Sequence, residues 1–340
     1  MGIDIGMPRK PRIDASGALQ HIIVRGIERK KIFLDDADRD AFLGRLGQVL
    51  IETRTDCLAW ALLPNHGHFL LRTGLSAIST VMQRLLTGYA GQFNRRHRRH
   101  GHLFQNRFKS ILCQEEPYLK PLVRYIHLNP LRANLVSDCN QLKSYRYAGH
   151  CVLMGKCRHD WQNTDAVLSL FGRKSTEARR RYAEFVAKGA KDGKRPELVG
   201  GGLIRSASGW AAVKTLRGRK DRIKSDERIL GAGDFVQAVL DSCRQRLESR
   251  YRYRAQGCDF DWLVGQVASC LGTGPEIVTR RGRYPDTVQA RSVLCYWAVR
   301  ELGISTRELS KRLGISQPTA SQSAKRGETI VNEKNLKLKV

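Results

Sequence analysis

The chain has 340 residues, 41% of them hydrophobic, enough to bury real cores in two ordinary domains or one large one with an appendage. Lys and Arg number 60 against 32 Asp and Glu, a net charge of +28, and that excess points to a polyanion partner, nucleic acid first. No apolar run of about eighteen residues and no basic amphipathic anchor is present, which sets a membrane role aside, and nine scattered cysteines without a CxxC pair read as free thiols of a reducing, cytoplasmic setting.

In chain order, "LQHIIVRGI" (19–27) reads as a strand by its β-branched run, and "DDADRDAFLGRLGQVLIET" as an amphipathic helix. Asp35 or Asp36 is its N-cap, and Phe42, Leu46, Val49 and Leu50 share one face. "DCLAWALL" is a second strand, and Pro64-Asn65 turns it into a third, "HGHFLLR". Helical spacing returns through Ile78, Met82, Leu85, Leu86, Tyr89 and Phe93. "GHLFQNRFKSILC" is extended, and "EEPYLKPLVRYIHLNPLRANLV" is mostly helical, with Pro130 marking a break.

The order β-α-β-β-α-β-α, with hairpin-joined strands, predicts an α+β fold: a ferredoxin-like antiparallel sheet with packed helices, over residues 1–150. Residues 151–225 read as a basic, helix-poor linker, and residues 226–340 as an all-α domain ending in a helix-turn-helix. "HCVLMGKCRH", with His150, Cys151, Cys157 and His159, has the right residue types for a metal but no common zinc spacing.

Strand side chains two apart share a face, so His66 and His68 in "LLPNHGHFLLR" present two imidazoles together. Tyr125 and Asn129 in "RYIHLN" are four apart and share a helical face. Two imidazole nitrogens, an amide oxygen and a phenol can hold one divalent cation beside a nucleophile, with positions left for a phosphodiester. His127 falls off the Tyr125 face and reads as a surface or packing histidine. His21, in the first strand, reads equally as a neighbour of the site and as a core-edge residue.

"PRKPRID", "HIIVRG", "PNHGHFLLR", "GHLFQNRFKSI" and "VRYIHLNPLRA" together resemble, in order over residues 7 to about 137, the HUH single-tyrosine transposases. More specifically the chain resembles the REP-associated tyrosine transposases of bacteria. The resemblance implies a nicking and strand-transferring enzyme for single-stranded DNA that forms hairpins. Tyr125 would form a 5′-phosphotyrosine, with Mg²⁺ or Mn²⁺ on His66, His68 and Asn129. It leaves open whether a homodimer exchanges the tyrosine helix, and whether transposition or repeat maintenance is the outcome. Gly67 departs from the bulky apolar residue usual between the histidines; it faces away from them, and weaker positioning of the pair is expected.

"NRRHRRHGH" places Arg95, Arg96, Arg98 and Arg99 within five positions, a density that phosphates would neutralise. Arg25, Gln105, Asn106, Arg107 and Lys109 are further DNA-binding candidates, and "SRYRYR" (249–254) interleaves aromatics with arginines. Near the end, Ser305 caps "TRELSKRL", Gly314-Ile315-Ser316 forms a turn, and "QPTASQSAKRG" opens with Pro318 in its first turn. Gln317, Thr319, Ser321, Gln322, Lys325 and Arg326 would meet duplex DNA. With "RRGRYPDTVQARSVLCYWAVREL", this segment resembles the DNA-binding domain of the replication initiator DnaA; no GxxxxGK[ST] loop accompanies it. The alternative to the enzyme is a catalytically decayed regulator that binds repeat DNA.

Overall fold

The structure, a computed structural model, describes residues 13, 17–74, 76–192, 198, 226–242, 253 and 256–338. Apart from Leu198, the basic linker after residue 192 lies outside them, as do most of "PRKPRID" and all but Tyr253 of "SRYRYR". The chain divides into two compact units, Met1–Gln237 and Ala238–Val340.

Unit one is built on a five-stranded sheet in the order β2-β3-β1-β4-β5. The strands are β1 (Leu19–Arg25), β2 (Asp56–Leu63), β3 (His66–Arg72), β4 (Lys109–Cys113) and the short β5 (Ile229–Leu230). The first four pair antiparallel, as the hairpin pattern predicts, and β5 adds parallel to β4 at the edge. Strand alternation gives the sheet two apolar faces. Ile22, Val24, Trp60, Leu62, Phe69 and Leu71 face α1 (Asp36–Thr53) and α2 (Ile78–Arg96). Leu63, Leu70 and Ile111 face α3 (Glu115–His127), whose Leu119, Leu122, Val123 and Ile126 complete that core. Asp35 caps α1, its side chain accepting from the Asp38 N–H.

Three readings are corrected. The stretch read as a helix-poor linker holds α7 (Thr164–Leu168) and α8 (Ser175–Lys188), after α4 (Asn129–Arg132), α5 (Cys139–Ser144) and α6 (Gly149–Leu153). Ala178, Tyr182 and Val186 of α8 recur every four residues and are buried in the α3-side core, which stabilises a helix otherwise rich in Arg. Second, residues 229–230 are a strand of unit one's sheet, before the helical residues 233–242. Third, Cys151 and Cys157 are joined in a disulfide. The left-handed Gly155 turns the chain after α6, and the Cys157 N–H reaches back to the Cys151 carbonyl. Six other cysteines among the described residues are free.

Unit two is all-α. Its core joins α9 (Phe260–Leu271), α10 (Pro275–Thr279), α11 (Pro285–Trp297), α12 (Thr306–Leu313) and α13 (Gln317–Glu333). Ser305 caps α12 and Ser316 caps α13, with Gly314 left-handed in the turn between them. Gly327 lets α13 cross α11 closely, since a Cβ there would stand 1.9 Å from the Ser292 carbonyl oxygen. Among the described residues no helix is long and apolar enough to cross a membrane.

Candidate active site

The α3-covered face of the sheet carries the two histidines. β1 and β3 pair so that Arg25 lies opposite His66 and Ile23 opposite His68. His66 and His68 therefore project to the same side, with ring centroids 5.2 Å apart. Tyr125 arrives from α3, its ring 5.9 Å from His68 and 6.1 Å from His21. All of them except His21 line one cleft of about 580 Å³, together with Asn129, Arg25, Gln105, Asn106, Arg107 and Lys109. The two segments that sequence spacing pairs, fifty-odd residues apart, thus meet in space.

Asn129 reaches the cleft through a local backbone device. Pro130 has no N–H to give the Ile126 carbonyl, so the helix is interrupted after His127. The Asn129 Nδ2 donates instead to the carbonyls of Ile126 (3.3 Å) and Tyr125 (3.2 Å). This commits the amide nitrogen to the backbone and leaves Oδ1 as the side chain's acceptor. Tyr125 and Asn129 consequently belong to α3 and α4 rather than to one unbroken helix, yet they keep the shared face.

The imidazoles are held neutral. Burial, with the charge of Arg25 added, pushes His66 down to about 4, and burial beside His21, His66 and Arg25 holds His68 well below the usual histidine range. The Nδ1 of His66 meets the Asn65 Oδ1 at 2.6 Å, so it carries the proton and Nε2 keeps a bare lone pair. The Nδ1 of His68 meets the His21 Nε2 at 3.1 Å, which engages that nitrogen and leaves Nε2 as the one for a ligand. Among the described residues no three His, Cys, Asp or Glu side chains gather as a metal cluster. A cation in this cleft would rest on two imidazoles and a carboxamide.

Burial raises the Tyr125 phenol above its ordinary value, while Arg132 and Arg25 pull it back. The Arg132 guanidinium lies 5.4 Å from the centre of the Tyr125 ring. Asn65, His21 and Arg132 are thus the site residues that sequence reasoning undervalued. Asn65 was a turn residue in that reading, and His21 an even choice between two roles. Arg132 follows Tyr125 by seven residues, two helical turns, and that spacing was the available signal.

The other candidates separate. Arg95 and Arg98 are exposed. Arg96 is ion-paired to Asp35 at 2.6 Å and to the buried Asp38, so phosphate is not what neutralises it. Arg99 donates to the His102 carbonyl at 2.8 Å. His127 is fully buried, its Nδ1 2.7 Å from the Tyr182 hydroxyl, which also meets the His150 Nδ1 at 2.7 Å. His150 and Cys151 are therefore not free ligands, and "HCVLMGKCRH" is a structural corner. Gly67 is buried on the far face as expected, and the Phe69 ring fills the space beside it, 3.0 Å from where a Cβ would stand. In unit two, Gln317, Gln322 and Arg326 are exposed, and Ser321 and Lys325 are half-buried. The Thr319 N–H and hydroxyl are used in the Ser316 cap.

No curated protein matches the sequence. Among solved structures, a REP-associated tyrosine transposase bound to a REP hairpin aligns at 18% identity with a TM-score of 0.37, over 46% of this chain and 92% of its own. Residues 15–129, which supply every side chain lining the cleft, match the family model described as "Transposase IS200 like".

Proposed function

We propose that unit one is a metal-dependent strand transferase for single-stranded DNA that forms hairpins, with Tyr125 as its nucleophile. The observation that carries this reading is the meeting of Tyr125, His66, His68 and Asn129 in one cleft, and the match of residues 15–129 to a transposase family supports it. A divalent cation, Mg²⁺ or Mn²⁺, would be held by the Nε2 atoms of His66 and His68 and the Oδ1 of Asn129. When bound, it supplies Lewis-acid polarisation of a phosphoryl oxygen.

The residues of the chain do the rest. Arg25, Arg107 and Lys109 place a DNA phosphate in the cleft by charge. The Tyr125 hydroxyl gives up its proton, its oxygen bonds to phosphorus, and the P–O3′ bond breaks. The departing 3′ oxygen takes up a proton, so the step is balanced and leaves a 5′-phosphotyrosine. Arg132 and Arg25 favour the phenolate against the cost of burial. Because one phosphodiester is exchanged for another, a second 3′-hydroxyl can reverse the step and join strands.

Unit two would dock the protein on duplex DNA through the exposed start of α13, with Gln317, Gln322, Lys325 and Arg326 facing it. The functional division then falls between a cutting unit and a docking unit.

The test is covalent trapping. Labelled single-stranded hairpins with randomised flanks are incubated with the full chain and Mn²⁺, and adducts are resolved on denaturing gels. A labelled adduct with the unsubstituted chain and none with Tyr125→Phe is the expected result. Hairpin binding without any adduct, at every metal concentration, overturns the enzyme and leaves a DNA-binding regulator.

A further inference from the structure

The loop that forms one wall of the cleft has a second side. Between it and α2 lies a groove of about 510 Å³. The groove and the cleft share Leu86, Phe104, Asn106, Arg107 and Phe108. Met82, Leu86 and Ala90, spaced along one face of α2, supply apolar surface on the helix side. Phe104 and Phe108 stand on the loop side, packed against the core beneath yet only partly buried.

The groove is preformed. The loop is tied to the end of β1 by Gln105 N–H to the Arg25 carbonyl (2.8 Å) and to the turn after it by Ile27 N–H to the Leu103 carbonyl (3.0 Å). Asn106 sits at φ +56°, the left-handed region that Asn tolerates. What the groove offers is specific in kind: two aromatic rings, an apolar floor, and amide or hydroxyl groups of Gln83, Thr87 and Asn106 at its edge. Arg107 lines both spaces, so a phosphate at the shared wall would meet a cation from either side. The matching occupant is flat, apolar on its faces, polar at its rim and joined to a phosphate.

We propose that this groove takes one unpaired nucleobase of the strand whose phosphate lies in the cleft, held against the rings of Phe104 and Phe108. The identity of the strand rests on the strand-transferase reading; the groove's chemistry stands without it. Stacking on aromatic faces tolerates any base, and the edge amides add a preference among bases. The groove therefore sets which nucleotide sits beside the scissile bond.

The experiment separates base from backbone. A fluorescein-labelled oligothymidylate and an abasic strand with the same number of phosphates are titrated against the full chain carrying Tyr125→Phe. Phe104→Leu and Phe108→Leu, which keep apolar bulk but remove the ring, weaken oligothymidylate binding by roughly 5- to 150-fold and leave abasic binding unchanged. Arg107→Gln weakens both. An unchanged ratio between the two strands in both leucine variants overturns the proposal. Should either variant misfold, the unsubstituted chain is photo-cross-linked to a 5-iodouracil strand: attachment at Phe104 or Phe108 supports the groove, and attachment only elsewhere overturns it. A Tyr125 adduct with an unchanged ratio removes the groove and keeps the strand transferase. A ring-dependent ratio without any adduct does the reverse, and failure of both strands to bind removes both.

Discussion

His66 owes its tautomer to one neighbour, Asn65, whose Oδ1 lies 2.6 Å from Nδ1. Without that acceptor the ring can flip or protonate the nitrogen the cation needs, and loss of such a supporting contact costs about 10- to 100-fold in metal affinity. Asn65→Ala is therefore expected to weaken Mn²⁺ binding by that order, read by electron paramagnetic resonance of free Mn²⁺, with no DNA present. An affinity equal to that of the unsubstituted chain would remove Asn65 from the site. Arg132 acts on the phenol instead. It lowers a hydroxyl that burial raises, so Arg132→Gln moves the alkaline-rising limb of the adduct-formation rate to higher pH, while Arg180→Gln, on a guanidinium already paired to Glu184, does not. The Asn65 contact is a short-range detail that no spacing rule reveals, whereas Arg132 stands two helical turns after Tyr125. The sequence pairs His66 with His68 because a strand's period is two, and Tyr125 with Asn129 because a helix turn is near four. It says nothing of an acceptor contributed by a turn, nor of how β1 brings His21 against His68.

α3 is aimed at the cleft by what lies behind it. His127 and His150 both meet the Tyr182 hydroxyl, tying α3 and α6 to α8. That hydroxyl has one proton, so it donates to the Nδ1 of one imidazole and accepts from the Nδ1–H of the other, and protonating the imidazole whose Nδ1 accepts breaks the chain. Burial holds His150 down at about 4, against 6.5 when unfolded. The unfolded chain then takes up a proton first as pH falls. This contribution to stability is complete above about pH 6.5 and drains away toward pH 4, by about 3 kcal/mol. His150→Gln should lower the urea midpoint at pH 7 and flatten its fall between pH 6.5 and 4; an unaltered slope would place the titration elsewhere. The reach of sequence reading at this scale follows from locality. β1, α1, the β2–β3 hairpin, α2 and α3 each carry their own period, with a side-chain cap at α1, and each stands where the pattern puts it. α8 escaped because its exposed arginines hide a stripe of only three residues, Ala178, Tyr182 and Val186. β5 escaped because two residues pair with a strand more than a hundred positions earlier, and no local signal encodes that. The Cys151–Cys157 bond depends on the turn at Gly155, which the count of cysteines does not contain.

Charge is the property of the whole chain that its composition states most directly, and the structure sorts it. Of the 60 Lys and Arg side chains, some are neutralised within the protein: Arg96 by Asp35 and Asp38, Arg124 by Asp192, Arg312 by Glu308. Such guanidiniums release few counterions when DNA binds, because they are already neutralised. The arginines that matter for affinity are those without an acidic partner on an exposed face, and salt dependence distinguishes the two kinds. On duplex DNA the logarithm of the binding constant falls with the logarithm of salt at a slope of about −0.9 per phosphate neutralised. Arg326 is exposed on α13, and Arg312, on α12, donates to Glu308 at 2.8 Å. With duplex DNA and the full chain, Arg326→Gln is expected to reduce the slope by about one, and Arg312→Gln to leave it unchanged. Covalent trapping of single-stranded hairpins by unit one should be the same in both variants, since neither residue belongs to it. Equal slopes for the two substitutions would mean that α13 does not face the duplex. A loss of hairpin adducts in Arg326→Gln would mean that cutting and docking are not separable functions of the two units.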